Sequence, residues 1–411
     1  MPVFAVVPRL CGPSGRGISA GMTTDAVSRR WVLGLCCYAI VAMSFVFAVP
    51  AVLMPRIAAD LSLDYARQGV LFSATVCAVL VPLVSASIAD RIGSARVLLA
   101  GSLIQAAGCF WIASAHSFGE ALAGGVVLGA GGAATDPLTT PLVCAVYPER
   151  RARMSNVLHG FFCIGLAATA AVLLALLEMG VGWRSAFRAI GALCLPHGVA
   201  ALLRPLPKQT HQGAVRLRAR DMVRDRRFLV LAAAMTFAGA TEVGPTNWLP
   251  TLVQRAWPGA GATTAGAAGM IVFGLLMAAG RFLTSTLCHR FGVERLLAAS
   301  AVLCTAGLTA IAAPLPPIAT GAALAVVGFG VGCLWPTVLA LAGDRFPDAG
   351  ASMFSVLSMA GGIGCIVAPA WIGWVASGTG RIELGLASLA AAPLLFLLLL
   401  HALRHNGPAA R

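Results

Sequence analysis

Two ionisable residues lie deep inside apolar stretches between Gly129 and Gly165, where the chain reads GAGGAATDPLTTPLVCAVYPERRARMSNVLHGFFCIG. Charge is expensive in hydrocarbon, so Asp136 and His159 are the first candidates for function. Asp136 precedes Pro137. Proline removes a backbone donor and frees carbonyls of the preceding turn, where an acid and a solute can meet. Thr139 and Thr140 follow three and four residues on, the spacing of one helical face. A carboxyl that alternates between neutral and charged forms suits cyclic proton uptake. Asn156, His159 and Cys163 fall at i, i+3 and i+7, on one stripe. The amide and the imidazole both donate to and accept from hydroxyls, and the imidazole can relay a proton.

A second acid, Glu242, precedes Thr246, Asn247 and Trp248. It reads either as a proton or cation site or as the partner of a basic group. Arg281 is the one basic residue inside a later apolar run; it can counter Asp136 or Glu242, bind a substrate carboxylate, or snorkel to the surface. Trp111, Trp248, Trp335, Trp371 and Trp374 are candidates for stacking on a ring, against the ordinary interfacial role of tryptophan. Of these, Trp248 and Trp335 stand beside other polar candidates. Gly361, Gly362 and Gly364 read as sites of close helix approach.

Other chemistries find no support. Gly129-x-Gly131-x-x-Ala134 resembles a dinucleotide fingerprint but follows no strand. No phosphate-binding loop, zinc-protease motif or nucleophile elbow is present. The twelve cysteines form no CxxC or zinc-type cluster and read as small packing residues. The expectation is a protein that is not an enzyme, with no catalytic residues, no cofactor and no metal.

The elements that position these residues follow from composition. The chain is 59% hydrophobic and 11% charged, whereas a soluble domain carries about a quarter charged residues. Its apolar runs are continuous and long enough to cross about 30 Å of hydrocarbon, which implies helices rather than a barrel. Twelve spans are expected, at 32–54, 69–88, 95–115, 119–146, 155–177, 185–203, 229–253, 265–287, 294–314, 317–343, 351–376 and 383–403. The basic stretch Arg204–Arg227 divides them six and six. The expected organisation is a tail at 1–30, a bundle at 31–203, a basic linker at 204–228, a second bundle at 229–403 and a tail at 404–411. The first segment is no signal peptide; it reads as a tail, or Met22 is the start. With both ends in the cytoplasm, 22 of the 29 Lys and Arg fall on the inner side and six on the outer side, as the positive-inside rule requires. The net charge of +14 therefore reflects topology and not nucleic acid. A multi-pass plasma-membrane protein, in a bacterium the inner membrane, is expected; nothing requires an oligomer.

An internal repeat recurs at an offset of 199 residues. Arg91-Ile-Gly93 returns as Arg290-Phe-Gly292, Arg96 as Arg295, Pro137 as Pro336, Met154 as Met353, Val157-Leu158 as Val356-Leu357 and Gly165 as Gly364. Two parallel halves place a substrate site at their interface near the bilayer midplane. The charges are not repeated: Asp136 corresponds to Trp335, and His159 to Ser358.

The loop Ala86-Ser-Ile-Ala-Asp90-Arg91-Ile-Gly93-Ser-Ala-Arg96 resembles the signature of the major facilitator superfamily, G-x-L-a-D-R-x-G-R-[KR]. The resemblance implies an all-α fold of twelve transmembrane helices in two pseudo-symmetric six-helix bundles. It implies conformational roles for Asp90, Arg91, Gly93 and Arg96, for Arg290 and Gly292 in the second half, and for Arg281. Asn156-Val-Leu-His159-Gly-Phe-Phe162-x-x-Gly165, Glu242-Val-Gly244-x-x-Asn247-Trp248-Leu249-Pro250, Gly280-Arg281 and Trp335-Pro336-Thr337 are similar to the fucose permease-like branch. That branch carries sugars and related solutes with protons or sodium. It has an acid in the first span that is absent here, and a Glu in the fourth span whose place is taken by Gly132. On this resemblance the expected function is secondary transport of a small polar solute, sugar-like, by alternating access and proton-coupled symport. Asp136, Glu242 and His159 would couple protons, and Asn156, His159, Asn247, Trp248 and Trp335 would hold the solute. A proton-driven exporter of amphipathic compounds and a non-transporting sensor are the alternatives.

Overall fold

A computed structural model describes residues 29–77, 79–207, 224–259, 261–346 and 350–405. Both expected tails, most of the basic linker and the choice between Met1 and Met22 lie outside them. Among the described residues the chain is helical without strands. The first bundle comprises α1 (Arg29–Leu61), α2 (Tyr65–Ala74), α3 (Val81–Ile92), α4 (Ser94–Ala113), α5 (Phe118–Val146), α6 (Arg151–Glu178), α7 (Trp183–Leu193) and α8 (Leu195–Leu203). The second comprises α9 (Arg226–Ala256), α10 (Ala262–Phe291), α11 (Val293–Ala310), α12 (Pro317–Val331), α13 (Leu334–Arg345), α14 (Gly350–Thr379), α15 (Ile382–Ser388) and α16 (Ala391–His405).

Ten stretches are long and apolar enough to cross a membrane. The expected spans at 69–88 and 119–146 are not among them, each for its own reason. The first is split into α2 and α3 around residues 75–80. The second is one long helix, α5, but is rich in Gly and Thr. Three further expected spans are also split, into α7/α8, α12/α13 and α15/α16. Each break lies just ahead of a proline: Pro82, Pro196, Pro336 and Pro393. A proline strips a donor from the turn it enters and disfavours helix in the residue before it. Pro137 and Pro141 do not break α5, nor do Pro245 and Pro250 break α9.

The repeat is visible in packing. Gly165 of α6 lies against Ser44 and Val41 of α1, and its counterpart Gly364 of α14 lies against Thr236 and Ala240 of α9. Gly93 and Gly292 join equivalent helix pairs with φ of +92° and +82°, a region that favours glycine. Open space surrounds both, so it is backbone conformation that demands glycine there.

The described ends of the chain lie on one side, here the terminus side. The halves meet most closely on the opposite side. There the Ala66 amide donates to Ser377 Oγ (3.2 Å) and Ser73 Oγ to the Ile366 carbonyl (2.6 Å). Arg255 donates to the Tyr65 hydroxyl (2.6 Å), and Thr264 to Glu178 (3.3 Å). Gly69 of α2 allows this approach: a Cβ there would stand 2.5 Å from the Pro369 carbonyl of α14. Gly69→Ala is therefore expected to wedge the halves apart and to cost about 1–3 kcal/mol, as overpacking does. A cysteine placed at Ala66 should then react faster with an impermeant maleimide; an unchanged rate would refute this account of the seal.

Candidate solute and proton site

The site is built from α5 outward. Gly125 of α5 faces Ala74 and Leu71 of α2, Gly129 rests on the Thr75 backbone, and Gly132 meets Val46 and Met43 of α1. Glycines let these helices approach closely. Asp136 is the next residue on this stripe, one turn beyond the last glycine contact. It is half-buried, and its carboxyl has no hydrogen bond or ion pair among the described residues. One turn further, Thr140 Oγ1 lies 3.4 Å from His159 Nε2 of α6. Thr140 of α5 thus meets His159 of α6, while Thr139 is buried and its hydroxyl donates to the Asp136 carbonyl at 3.0 Å.

From His159 the polar chain crosses between the halves. Its main-chain carbonyl accepts from Arg281 Nη1 of α10 at 3.0 Å. Arg281 Nε donates to the Gly332 carbonyl at 3.0 Å, at the break between α12 and α13. Arg281 Nη2 lies 3.6 Å from Glu242 Oε1 of α9. Both side chains are buried, and Glu242 Oε2 has no partner. Among the readings open to Arg281, the structure selects pairing with Glu242 and excludes snorkelling. One guanidinium thus ties α6 of the first half to α9, α10 and the broken α12/α13 of the second. A buried charge needs such compensation, because desolvation is otherwise several kcal/mol per ion.

The expected solute contacts divide. Trp335 is half-buried on α13, and its indole N–H has no partner among the described residues. The Asn156 side chain lies outside the described residues. Asn247 is 1% exposed, with Nδ2 unpartnered, and Trp248 is fully buried. The Trp248 indole donates to the Pro369 carbonyl at 3.1 Å. Its ring meets Tyr65 and Phe72 edge-on, at centroid distances of 6.0 and 5.3 Å. In this conformation Trp248 belongs to the seal and offers no open face to a solute, and Asn247 is equally closed off. Asp90, Arg91, Gly93 and Arg96 end α3 and open α4 at the surface of the terminus side, where Arg96 returns to the Ile92 carbonyl (3.2 Å). Arg290 is exposed in the matching place, stacked on Phe291. Sequence reasoning missed Tyr65, Arg255 and Ser377, because their partners lie hundreds of residues away in the chain. Among the described residues no group of three His, Cys, Asp or Glu is placed to hold a metal.

Residues 34–369 match the family model of the Major Facilitator Superfamily. The chain belongs to that superfamily. Superfamily relatives of similar sequence include two uncharacterised MFS-type transporters of Mycobacterium tuberculosis, from strains CDC 1551/Oshkosh and ATCC 25618/H37Rv. Each is 25% identical over 336 residues, covering 78% of this chain and 77% of the relative. The crystal structure of the nucleoside transporter NupG superimposes with a TM-score of 0.74 at 14% identity, covering 92% of this chain and 98% of that one. A mutant of the same transporter gives 0.75 at 15% identity, covering 92% of this chain and all of that one. The solved structures show the all-helical fold, and the family model shows a transporter superfamily of the membrane.

The Arg281 geometry predicts unequal effects of breaking its pair. Glu242→Gln leaves the guanidinium on two carbonyls and is expected to cost about 1–3 kcal/mol. Arg281→Ala strands a buried carboxylate and should cost about 3–5 kcal/mol. Thermal unfolding in detergent reads both, and the double substitution should recover part of the larger loss. Equal effects would show that the two carbonyls do not hold the charge.

Proposed function

We propose that this protein is a proton-coupled secondary transporter of a small polar solute, working by alternating access between the two halves. The observation that carries the reading is Asp136. It is a half-buried carboxyl with no compensating group among the described residues, one turn from Thr140, whose partner His159 gives its carbonyl to the opposite half. Such a group is costly while charged in low dielectric and cheap once protonated. Its protonation is the kind of event that permits a loaded carrier to change sides.

On this reading Asp136 takes the proton, Thr140 and His159 pass it or bond a solute hydroxyl, and Trp335 supplies a ring face. Glu242 serves as the counter-charge of Arg281. Asn247 and Trp248 become reachable only when the seal opens. The basic residues gathered on the terminus side support placing both ends in the cytoplasm. The present conformation then faces inward, and import by symport is the favoured direction. Sugars come first among solutes, from the resemblance to the fucose permease-like branch. Nucleosides join them, from the transporter of similar fold.

One observation favours a second reading, export of amphipathic compounds by antiport. One expected hydroxyl partner, Asn247, and one expected ring platform, Trp248, are closed off, while the half-buried Phe47 stacks edge-on against Phe162 at 5.4 Å.

Proteoliposomes loaded with a pH dye separate the two. A solute gradient should drive protons in the same direction as the solute, and Asp136→Asn should abolish proton movement while leaving solute binding. Protons moving against the solute would establish the exporter. Solute flux without a proton signal would overturn proton coupling, and binding without flux would overturn transport itself.

A further inference from the structure

The charges around the site add up to a restriction on what it accepts. Among the described residues, the acid, imidazole and guanidinium side chains of this site are Asp136, His159, Glu242 and Arg281. Arg281 is the single permanent cation among them, and it is fully engaged by Glu242, the His159 carbonyl and the Gly332 carbonyl. His159 is neutral in its ordinary form near pH 7. Asp136 has no counter-charge among the described residues. The site is therefore neutral when Asp136 is protonated and negative when it is not. His197, the other histidine buried within a span, lies near Tyr38 in the first half.

The position equivalent to Asp136 in the second half is aromatic, and its place is set by a missing side chain. The six-membered edge of Trp335 rests on Gly361 of α14, where a Cβ would stand 2.5 Å from both Cζ3 and Cη2. Gly361 lies 199 residues after Phe162, and Trp335 lies 199 after Asp136. The two halves thus exchange volumes between equivalent positions. A small acid accompanies a large Phe in the first half, and a large indole accompanies glycine in the second. The exchange keeps wall volume while turning one side into an acid and the other into a flat π-face, the pairing that receives rings and cations.

Resting on the transport reading above, we infer that the site takes uncharged or cationic solutes with a ring that stacks on an indole face and rejects carboxylates and phosphates. Gly361 is the positioning residue that sets how far Trp335 reaches. An anion would enter a low-dielectric space with no uncommitted cation to meet it, and beside a carboxyl.

The test uses the full chain in proteoliposomes and five probes: uridine, glucose, 1-methylpyridinium, benzoate and glucose 6-phosphate. Binding is read as quenching of tryptophan fluorescence that Trp335→Phe removes, and transport as labelled flux. At least one neutral or cationic ring should quench and move, with benzoate and glucose 6-phosphate at least tenfold weaker. Gly361→Ala should raise KM for that ring about tenfold with the maximal rate held, and Trp335→Phe should do the same without any added bulk. Anions that bind or move as well as the neutral rings would overturn the inference while leaving transport intact. Quenching by rings without flux would uphold the inference and overturn transport. No quenching by any of the five would overturn the inference.

Discussion

A guanidinium held in the dry seam between two helical bundles constrains everything around it. Arg281 cannot reach water, so its charge has to be met by groups already in place. One is a carboxylate on α9, one a carbonyl of α6, and one the carbonyl exposed where α12 gives way to α13. These requirements fix the register of α10 against its neighbours. They also make Pro336 useful, because a proline has no N–H for the carbonyl four residues earlier and so leaves the Gly332 carbonyl free for Arg281. Since one of the three partners belongs to the other half, the electrostatic satisfaction of Arg281 depends on the relative position of the halves.

The duplicated halves share a scaffold and differ in chemistry. Glycines at equivalent places, 165 and 364 and again 93 and 292, keep equivalent packing and equivalent turns. Ionisable groups are not shared: the first half holds its acid on α5, the second on α9. Breaks differ too. The second span is broken where the eighth runs through, and the tenth is broken where the fourth runs through. Symmetry sets equivalent positions in the two halves, and departures from symmetry put an acid at one and an indole at its counterpart.

Much of this was legible in the sequence. Hydropathy marked ten of the twelve expected spans, the offset of 199 residues marked equivalent helices, and charge inside apolar runs singled out Asp136, His159, Glu242 and Arg281. The breaks were harder, because proline has two outcomes: Pro82 and Pro336 attend breaks, whereas Pro137 and Pro245 sit in continuous helices braced by neighbours. Which partner Arg281 takes was undetermined, since spacing along one helix says nothing of a helix forty residues earlier. The place of Trp248 in this conformation was undetermined for a related reason. Its motif context suggested an open ring face, but burial is decided by α2 and α14, which meet it from remote parts of the chain.

The seal opposite the termini rests largely on main chain. Ser73 and Trp248 donate to the carbonyls of residues 366 and 369, the Ala66 amide is bonded by Ser377, and Gly69 and Gly373 bring bare backbone together. A closure written in backbone atoms and glycines is indifferent to which side chains line the cavity on the other side of the seam. Residues around Asp136 and Trp335 are thereby free to diverge, or to be redesigned for another cargo, without re-engineering the door.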